Sequence, residues 1–223
     1  MSTQKCVSAI LAGPFFGRAH LAVLDAARTD QTDVALIAVD RGIDCLHDQD
    51  IRPTLAVGDF DSVSAEGLAW AQHLTPPAEL VQVAREKDFS DLDLALRLCC
   101  ERGYRDLLLL GFIGGRLDHQ MAVCGVCARY AAHATIRIIE GVQKVSFFAA
   151  GQSCVVETGT CFSVIALTDP TLVSISGAQY RLDHSRIAPL SDRGLSNRAL
   201  RDCNVSVHEG LIALFTQSSQ PLV

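Results

Sequence analysis

Leu55-Ala56-Val57-Gly58-Asp59-Phe60-Asp61-Ser62 carries an apolar run directly into a glycine and two carboxylates. The run reads as a buried strand, and a glycine at its C-terminal end frees the backbone to turn. In open α/β folds, residues leaving the sheet at such a strand end face the ligand crevice. Asp59 and Asp61, one residue apart, point the same way if the segment stays extended. Carboxylates held this close repel unless a proton or cation lies between them, and a hard ion such as Mg2+ suits oxygen ligands. The competing reading is a solvated turn rich in Asp.

Working outward, similar apolar runs recur at Val7–Leu11, Ala35–Val39, Thr54–Val57, Leu80–Val83, Leu107–Leu110 and Ile136–Ile139. Between them, Ala19–Ala27, Ser64–His73, Ser90–Arg102 and Asp118–His133 carry helical spacing or strong helix formers. This alternation predicts an α/β domain with a mostly parallel sheet flanked by helices, over residues 1–141. From 142 to 223 the texture changes to short alternating segments such as Cys154–Glu157, Phe162–Ala166, Leu172–Ile175, Val205–Val207 and Leu211–Phe215. Gly, Pro, Asp and Ser punctuate these segments, which predicts a smaller all-β sandwich domain.

Composition narrows the function classes. The 223 residues carry a formal charge of −6, which argues against a nucleic-acid partner held by counterion release. No apolar stretch is long enough to cross a bilayer, and the N-terminus lacks a signal-peptide hydrophobic run, so a cytoplasmic protein is expected. The nine cysteines are odd in number. Cys124-x-x-Cys127 has no second pair to complete a zinc site, and all nine read as reduced thiols.

Three further polar clusters each follow a predicted strand. Lys87-Asp88-Phe89-Ser90-Asp91 opens a helix. Ser90 and Asp93 have the spacing of a cap, but Lys87, Asp88 and Asp91 are left over, and a cation beside carboxylates suits a metal–polyphosphate complex. Gly111-Phe112-Ile113-Gly114-Gly115-Arg116-Leu117-Asp118-His119 offers a backbone that a ligand can approach, a helix start for an anion, and a guanidinium for phosphate oxygens. Within it Asp118 also fits a helix cap, and His119 reads as a polar helix-start residue. Asp40-Arg41-Gly42-Ile43-Asp44 follows the second strand, where Asp40 is either a cap or a ligand contact.

Taken in order, these segments resemble the thiamine pyrophosphokinase family. That family's pattern has Asp-Gly-Gly-Ala-Asn, Gly-Asp-Phe-Asp-Ser, Lys-Asp-x-Thr-Asp and Gly-Gly-Arg-x-Asp-His. The second domain adds Gly177-Ala178-Gln179-Tyr180-Arg181-Leu182 and Gly194-Leu195-Ser196-Asn197, similar to the family's Gly-x-x-aromatic-x-Leu and Gly-x-Ser-Asn. The departures are Arg41 for a glycine, Asp44 for an asparagine, Ser90 for a threonine, and Arg198 where the family often has Glu.

The resemblance implies transfer of the terminal diphosphate of ATP to the alcohol of thiamine, releasing AMP. It implies an ATP- and Mg2+-binding first domain, and a second domain that binds thiamine and builds a homodimer with the site at the subunit interface. Carried onto this sequence, Asp59, Asp61 and Asp91 hold Mg2+ and, with Arg116, form the catalytic set. Asp40, Gly42, Lys87, Asp88, Gly114, Gly115 and Arg116 meet the nucleotide and its phosphates. Ser90, Asp91, Asp118, Tyr180, Ser196 and Asn197 meet thiamine, with Tyr180 as an aromatic face for the thiazolium cation; without the resemblance, Tyr180 reads equally as a sandwich-core aromatic. Two rivals stay open: a pterin-alcohol diphosphokinase, and a non-catalytic nucleotide or thiamine sensor motivated by Arg41 and Asp44.

Overall fold

The computed structural model describes residues 8–29, 34–86 and 88–218, which form two compact units. The first takes the chain to Val126 together with Ile138–Gly141; the second takes Cys127–Arg137 and the chain from Val142. In order, the chain forms β1 (Ser8–Ala12), a 3-10 turn (Arg18–His20), α1 (Leu21–Thr29), β2 (Val34–Val39), α2 (Gly42–His47) and β3 (Leu55–Gly58). Next come α3 (Ala65–His73), β4 (Glu79–Gln82), α4 (Asp91–Glu101), β5 (Asp106–Leu110), α5 (Leu117–Tyr130) and β6 (Thr135–Glu140). The remaining strands are β7 (Gln143–Ala149), β8 (Ser153–Val156), β9 (Cys161–Ala166), β10 (Leu172–Ala178), β11 (Leu182–Arg186), β12 (Asn197–Glu209) and β13 (Leu211–Gln217).

In the first unit β5, β1, β2, β3 and β4 lie side by side, and every ladder between them is parallel. Ala12 pairs with both Ala38 and Leu110, and Val39 pairs with Val57, so the strands' C-terminal ends share one edge. Ile10, Ala12, Leu36, Ala38, Ala56 and Leu110 point to one face, where they cluster with Val23 and Leu24 of α1, Ile43 and Leu46 of α2, and Ala71 of α3. Strand alternation sends Leu11, Ile37, Val57 and Leu109 to the other face, and these are equally dry. α4, which contributes nothing to the first cluster, packs on β2 and β3. Burial on both faces explains why these strands read as continuous apolar runs.

The second unit is antiparallel throughout. β13 lies between β7 and β9, while β12 pairs with β8 and β10, and β10 with β11. β12 serves both groups, because its first residues, Asn197 and Arg198, pair with β9. Phe162, Val164, Ile212 and Leu214 from one group meet Val173, Ile175, Val205 and Val207 from the other in a single dry core. Two sheet layers enclosing such a core are a sandwich arrangement.

The expectation of a mostly parallel sheet needs correction for the chain as a whole, which is rich in strand and mixed in pairing. Parallel neighbours require crossovers of a dozen or more residues, and only the first unit has them; strands joined by short turns pair antiparallel. α2 is also absent from the sequence reading, being too short to show a period.

Candidate active site

The shared C-terminal edge of β2 and β3 assembles the acidic cluster. The Asp40 N–H donates to the Val57 carbonyl at 2.9 Å, holding the residue after β2 against β3. A Cβ added at Gly58 would lie 3.3 Å from the Asp40 Cα, so glycine lets the two strand ends close up. Asp59 and Asp61 converge, but not through an extended segment. Phe60 takes a left-handed φ of +60° with its ring buried, and the Asp61 N–H donates to Asp59 Oδ1 at 3.1 Å. This kink turns both carboxylates toward Asp40. Single carboxylate oxygens of Asp40, Asp59 and Asp61 all lie within 4.8 Å of one another.

The electrostatics of Asp40 follow from that crowding. Burial pushes its carboxyl above the usual range; the Ser62 hydroxyl, donating at 2.6 Å, pulls the other way, and the charges of Asp91 and Asp59 add to the rise. The Arg41 backbone N–H also bears on this carboxyl and opposes the rise, but its second oxygen, Oδ1, is buried and makes no well-formed hydrogen bond among the described residues. The three oxygens are spaced as a hard cation would need them, and such an ion would offset the crowded negative charge. Asp91, at the start of α4, stands outside the trio. Its field still reaches Asp40, and it lines a cavity of about 530 Å³ with Asp40, Arg41 and Ser90.

The glycine-rich loop after β5 forms the opposite lining, with Gly114, Gly115, Arg116 and His119. Arg116 is forked onto Asp118, Nε to Oδ1 at 3.1 Å and a terminal nitrogen to Oδ2 at 2.5 Å. That guanidinium holds the Asp118 carboxyl down at about 2, so the pair stays charged at any working pH. Asp118 is a positioner of Arg116 in this geometry and does not line the cavity.

Ser90 caps α4, accepting from the Asp93 N–H at 3.2 Å, which is the capping half of its sequence reading. Gly42 is buried away from the cavity, where a Cβ would collide with the Ala12 carbonyl at 2.1 Å; it admits α2 against β1. Asp88 is exposed and outside the cavity lining, and Lys87 lies outside the described residues. The two departures in the Asp40 segment separate cleanly. Asp44 accepts from the Ser64 N–H at 3.0 Å and its hydroxyl at 2.5 Å, and Ser64 in turn caps α3 through Gly67. Arg41, by contrast, lines the cavity.

Sequence reasoning missed two participants and gave a third a different role: Asp40, expected at the nucleotide, joins the acidic trio, which the order β1-β2-β3 would have revealed. Arg85 sets its Nε 2.9 Å from Asp61 Oδ2 while remaining 79% exposed, and no motif marks it. Phe15, from the loop after β1, lines the cavity as an exposed aromatic; its flanking by Gly13 and Gly17 was the available signal.

In the second unit, Asn197 is 3% exposed and both ends of its amide are hydrogen-bonded. Its amide oxygen accepts from the Tyr180 and Arg198 N–H groups at 3.0 and 2.9 Å, and its amide nitrogen donates to the Tyr180 carbonyl at 2.7 Å. Tyr180 is thereby fixed by its backbone while its ring stays 59% exposed. Ser196, with φ +54°, and Asn197 line a cavity of about 520 Å³ shared with Gln179, Ser163 and Arg198.

Residues 27–139 match the family model described as the catalytic domain of thiamin pyrophosphokinase. A curated thiamine pyrophosphokinase of Bacillus subtilis (strain 168) is 30% identical over 172 residues, covering 74% of this chain and 78% of that protein. A crystal structure of a thiamin pyrophosphokinase from Geobacillus thermodenitrificans superposes with a TM-score of 0.74 at 26% identity, over 96% of this chain and 97% of that one. The thiamin pyrophosphokinase of Candida albicans reaches a TM-score of 0.77 at 13% identity, over 95% and 88% of the two chains, a likeness of fold alone.

Proposed function

This chain belongs to the thiamine pyrophosphokinase family, and from that premise we propose how its residues divide the work. The activity is transfer of diphosphate from ATP to the hydroxyl of thiamine, giving thiamine diphosphate and AMP. The observation that carries the assignment of the site is the convergence of the Asp40, Asp59 and Asp61 carboxylates, one Asp40 oxygen being buried without a well-formed hydrogen bond among the described residues.

Diphosphate transfer is mainly positioning and charge neutralisation. Asp40, Asp59 and Asp61 would hold Mg2+, whose chemistry when bound is to neutralise triphosphate oxygens. Asp91, in the same cavity, completes or supports that set and accepts a hydrogen bond from the attacking hydroxyl. Arg116, steadied by Asp118, and Arg41 meet phosphate oxygens, and Lys87 is assigned the same role. As the thiamine oxygen bonds to the β-phosphorus, the bridge to the α-phosphate breaks and negative charge grows on AMP. Cations fixed before reaction lower that barrier because they need not reorganise.

Tyr180 offers the face for the thiazolium cation, Ser196 serves from the cavity it lines with Asn197, and Asn197 also acts through the Tyr180 backbone. We assign the second unit of one copy to serve the first unit of another in a homodimer, which light scattering in solution tests. The free thiols among the described cysteines suit a reducing, cytoplasmic setting, and no described helix is long and apolar enough to cross a membrane. The deciding experiment supplies purified protein with ATP, Mg2+ and thiamine and quantifies AMP and thiamine diphosphate. The reading requires both products in equal amounts; turnover only with a pterin alcohol, or tight thiamine binding without AMP, overturns it.

A further inference from the structure

Resting on that reading and deepening it, we propose that Phe15 is the stacking platform for a planar aminopyrimidine ring, the chemistry shared by adenine and the pyrimidine of thiamine. The Phe15 ring lies across the Gly114-Gly115 backbone. A Cβ on Gly114 would fall 2.9 Å from its Cγ, and one on Gly115 would fall 2.8 Å from its Cζ. The paired glycines therefore make room for an aromatic ring along its whole length. Its neighbour Phe16 behaves as an ordinary core residue at 4% exposure, yet Phe15 stays 46% exposed and walls the cavity that holds Asp40, Asp91 and Arg116.

Hydrogen bonds from several elements anchor the loop presenting Phe15. The Gly13 N–H donates to the Leu110 carbonyl and the Phe15 N–H to the Gly111 carbonyl, both at 2.9 Å. The Cys45 thiol donates to the Pro14 carbonyl at 3.4 Å. Phe16 stacks on buried His20, whose Nδ1 accepts from the Gly17 N–H at 3.2 Å; this leaves Nε2–H to donate to Glu140 at 3.2 Å. A ring fixed before binding stacks on a planar heterocycle with little further loss of freedom. With Phe112 and Val123 in the same lining, the cavity offers an apolar slot beside its charged groups.

The test measures KM for ATP and for thiamine, and calorimetric affinity for AMP and for thiamine, in wild type, Phe15→Leu and Phe15→Tyr. Leu keeps the apolar bulk without the π-face. It should weaken one ligand about tenfold while kcat holds, and Tyr should restore it. Loss confined to ATP and AMP assigns the ring to adenine; loss confined to thiamine assigns it to the pyrimidine. Unchanged affinity for both ligands in Phe15→Leu, or equal loss in Phe15→Tyr, overturns the proposal. In Phe15→Trp, emission should be quenched on adding the ligand that stacks, and no quenching with either also overturns it, even if Phe15→Leu does not fold. An inactive wild type defeats the functional reading separately, since the binding arms need no turnover.

Discussion

The acidic edge of the first unit and the Tyr180 corner of the second use polar side chains in opposite ways. At Asp40, Asp59 and Asp61, backbone geometry does the holding: a strand ladder, a close approach at Gly58 and the left-handed Phe60 leave three carboxylates facing one another. At Tyr180 a side chain does the holding, and the buried Asn197 amide fixes backbone while the tyrosine stays exposed, its hydroxyl touched by the Gln179 amide. Variants at the edge should therefore lose chemistry and keep stability. Variants at the corner should divide, with Asn197 losing stability and Tyr180 losing affinity.

The strongest separation is expected from Asp61→Asn. Turnover should fall by about 10³-fold while the melting temperature holds, and near-normal rates would break the contrast at its sharper end. Asn197→Ala strands the backbone groups of Tyr180 in a dry setting and should cost about 2–3 kcal/mol in denaturant unfolding. A change well below 1 kcal/mol there would mean that the corner is not held by this side chain. Tyr180→Ala should raise the KM for thiamine about tenfold with stability unchanged, the loss of a cation–π face; an unaltered KM returns Tyr180 to a packing role. Ser64→Ala removes the cap that Asp44 braces and should cost about 1 kcal/mol, seen as a lower unfolding midpoint, with activity preserved.

The smallest effect concerns the pH dependence of stability. Burial raises the Asp40 carboxyl, so the folded state holds that proton more tightly than the unfolded chain. The associated stability is present below the unfolded carboxyl range and is lost as pH rises through the higher folded value. Asp40→Asn, which cannot ionise, should therefore melt no lower than wild type at neutral pH despite its catalytic defect. A lower melting temperature for this variant at pH 7 would contradict the sign.

Much of the edge was legible because strand ends in a parallel sheet converge, so apolar runs followed by polar clusters locate the site without coordinates. What stayed hidden depended on neighbours distant in sequence. Asp40 joins the trio only because β2 lies beside β3, and Phe15 meets Gly114 only because the loops after β1 and β5 touch. Asp44 reads in sequence as a ligand-facing departure, yet it accepts from the Ser64 hydroxyl. Asn197 lines its cavity, but its hold on the Tyr180 backbone could not be read from its residue type, which says nothing about burial. Mixed pairing was missed for a related reason: alternating short strands predict sheet layers, but not which strands share an edge.

Cation binding to Asp40→Asn bears most directly on the acidic trio. Mn2+ titration followed by electron paramagnetic resonance, with a non-hydrolysable ATP analogue present, compares this variant with wild type and Asp91→Asn. Asp40→Asn should weaken Mn2+ by about tenfold or more, with a smaller effect for Asp91→Asn. Equal Mn2+ affinity in wild type and Asp40→Asn would contradict the assignment of Asp40, Asp59 and Asp61 as the cation site.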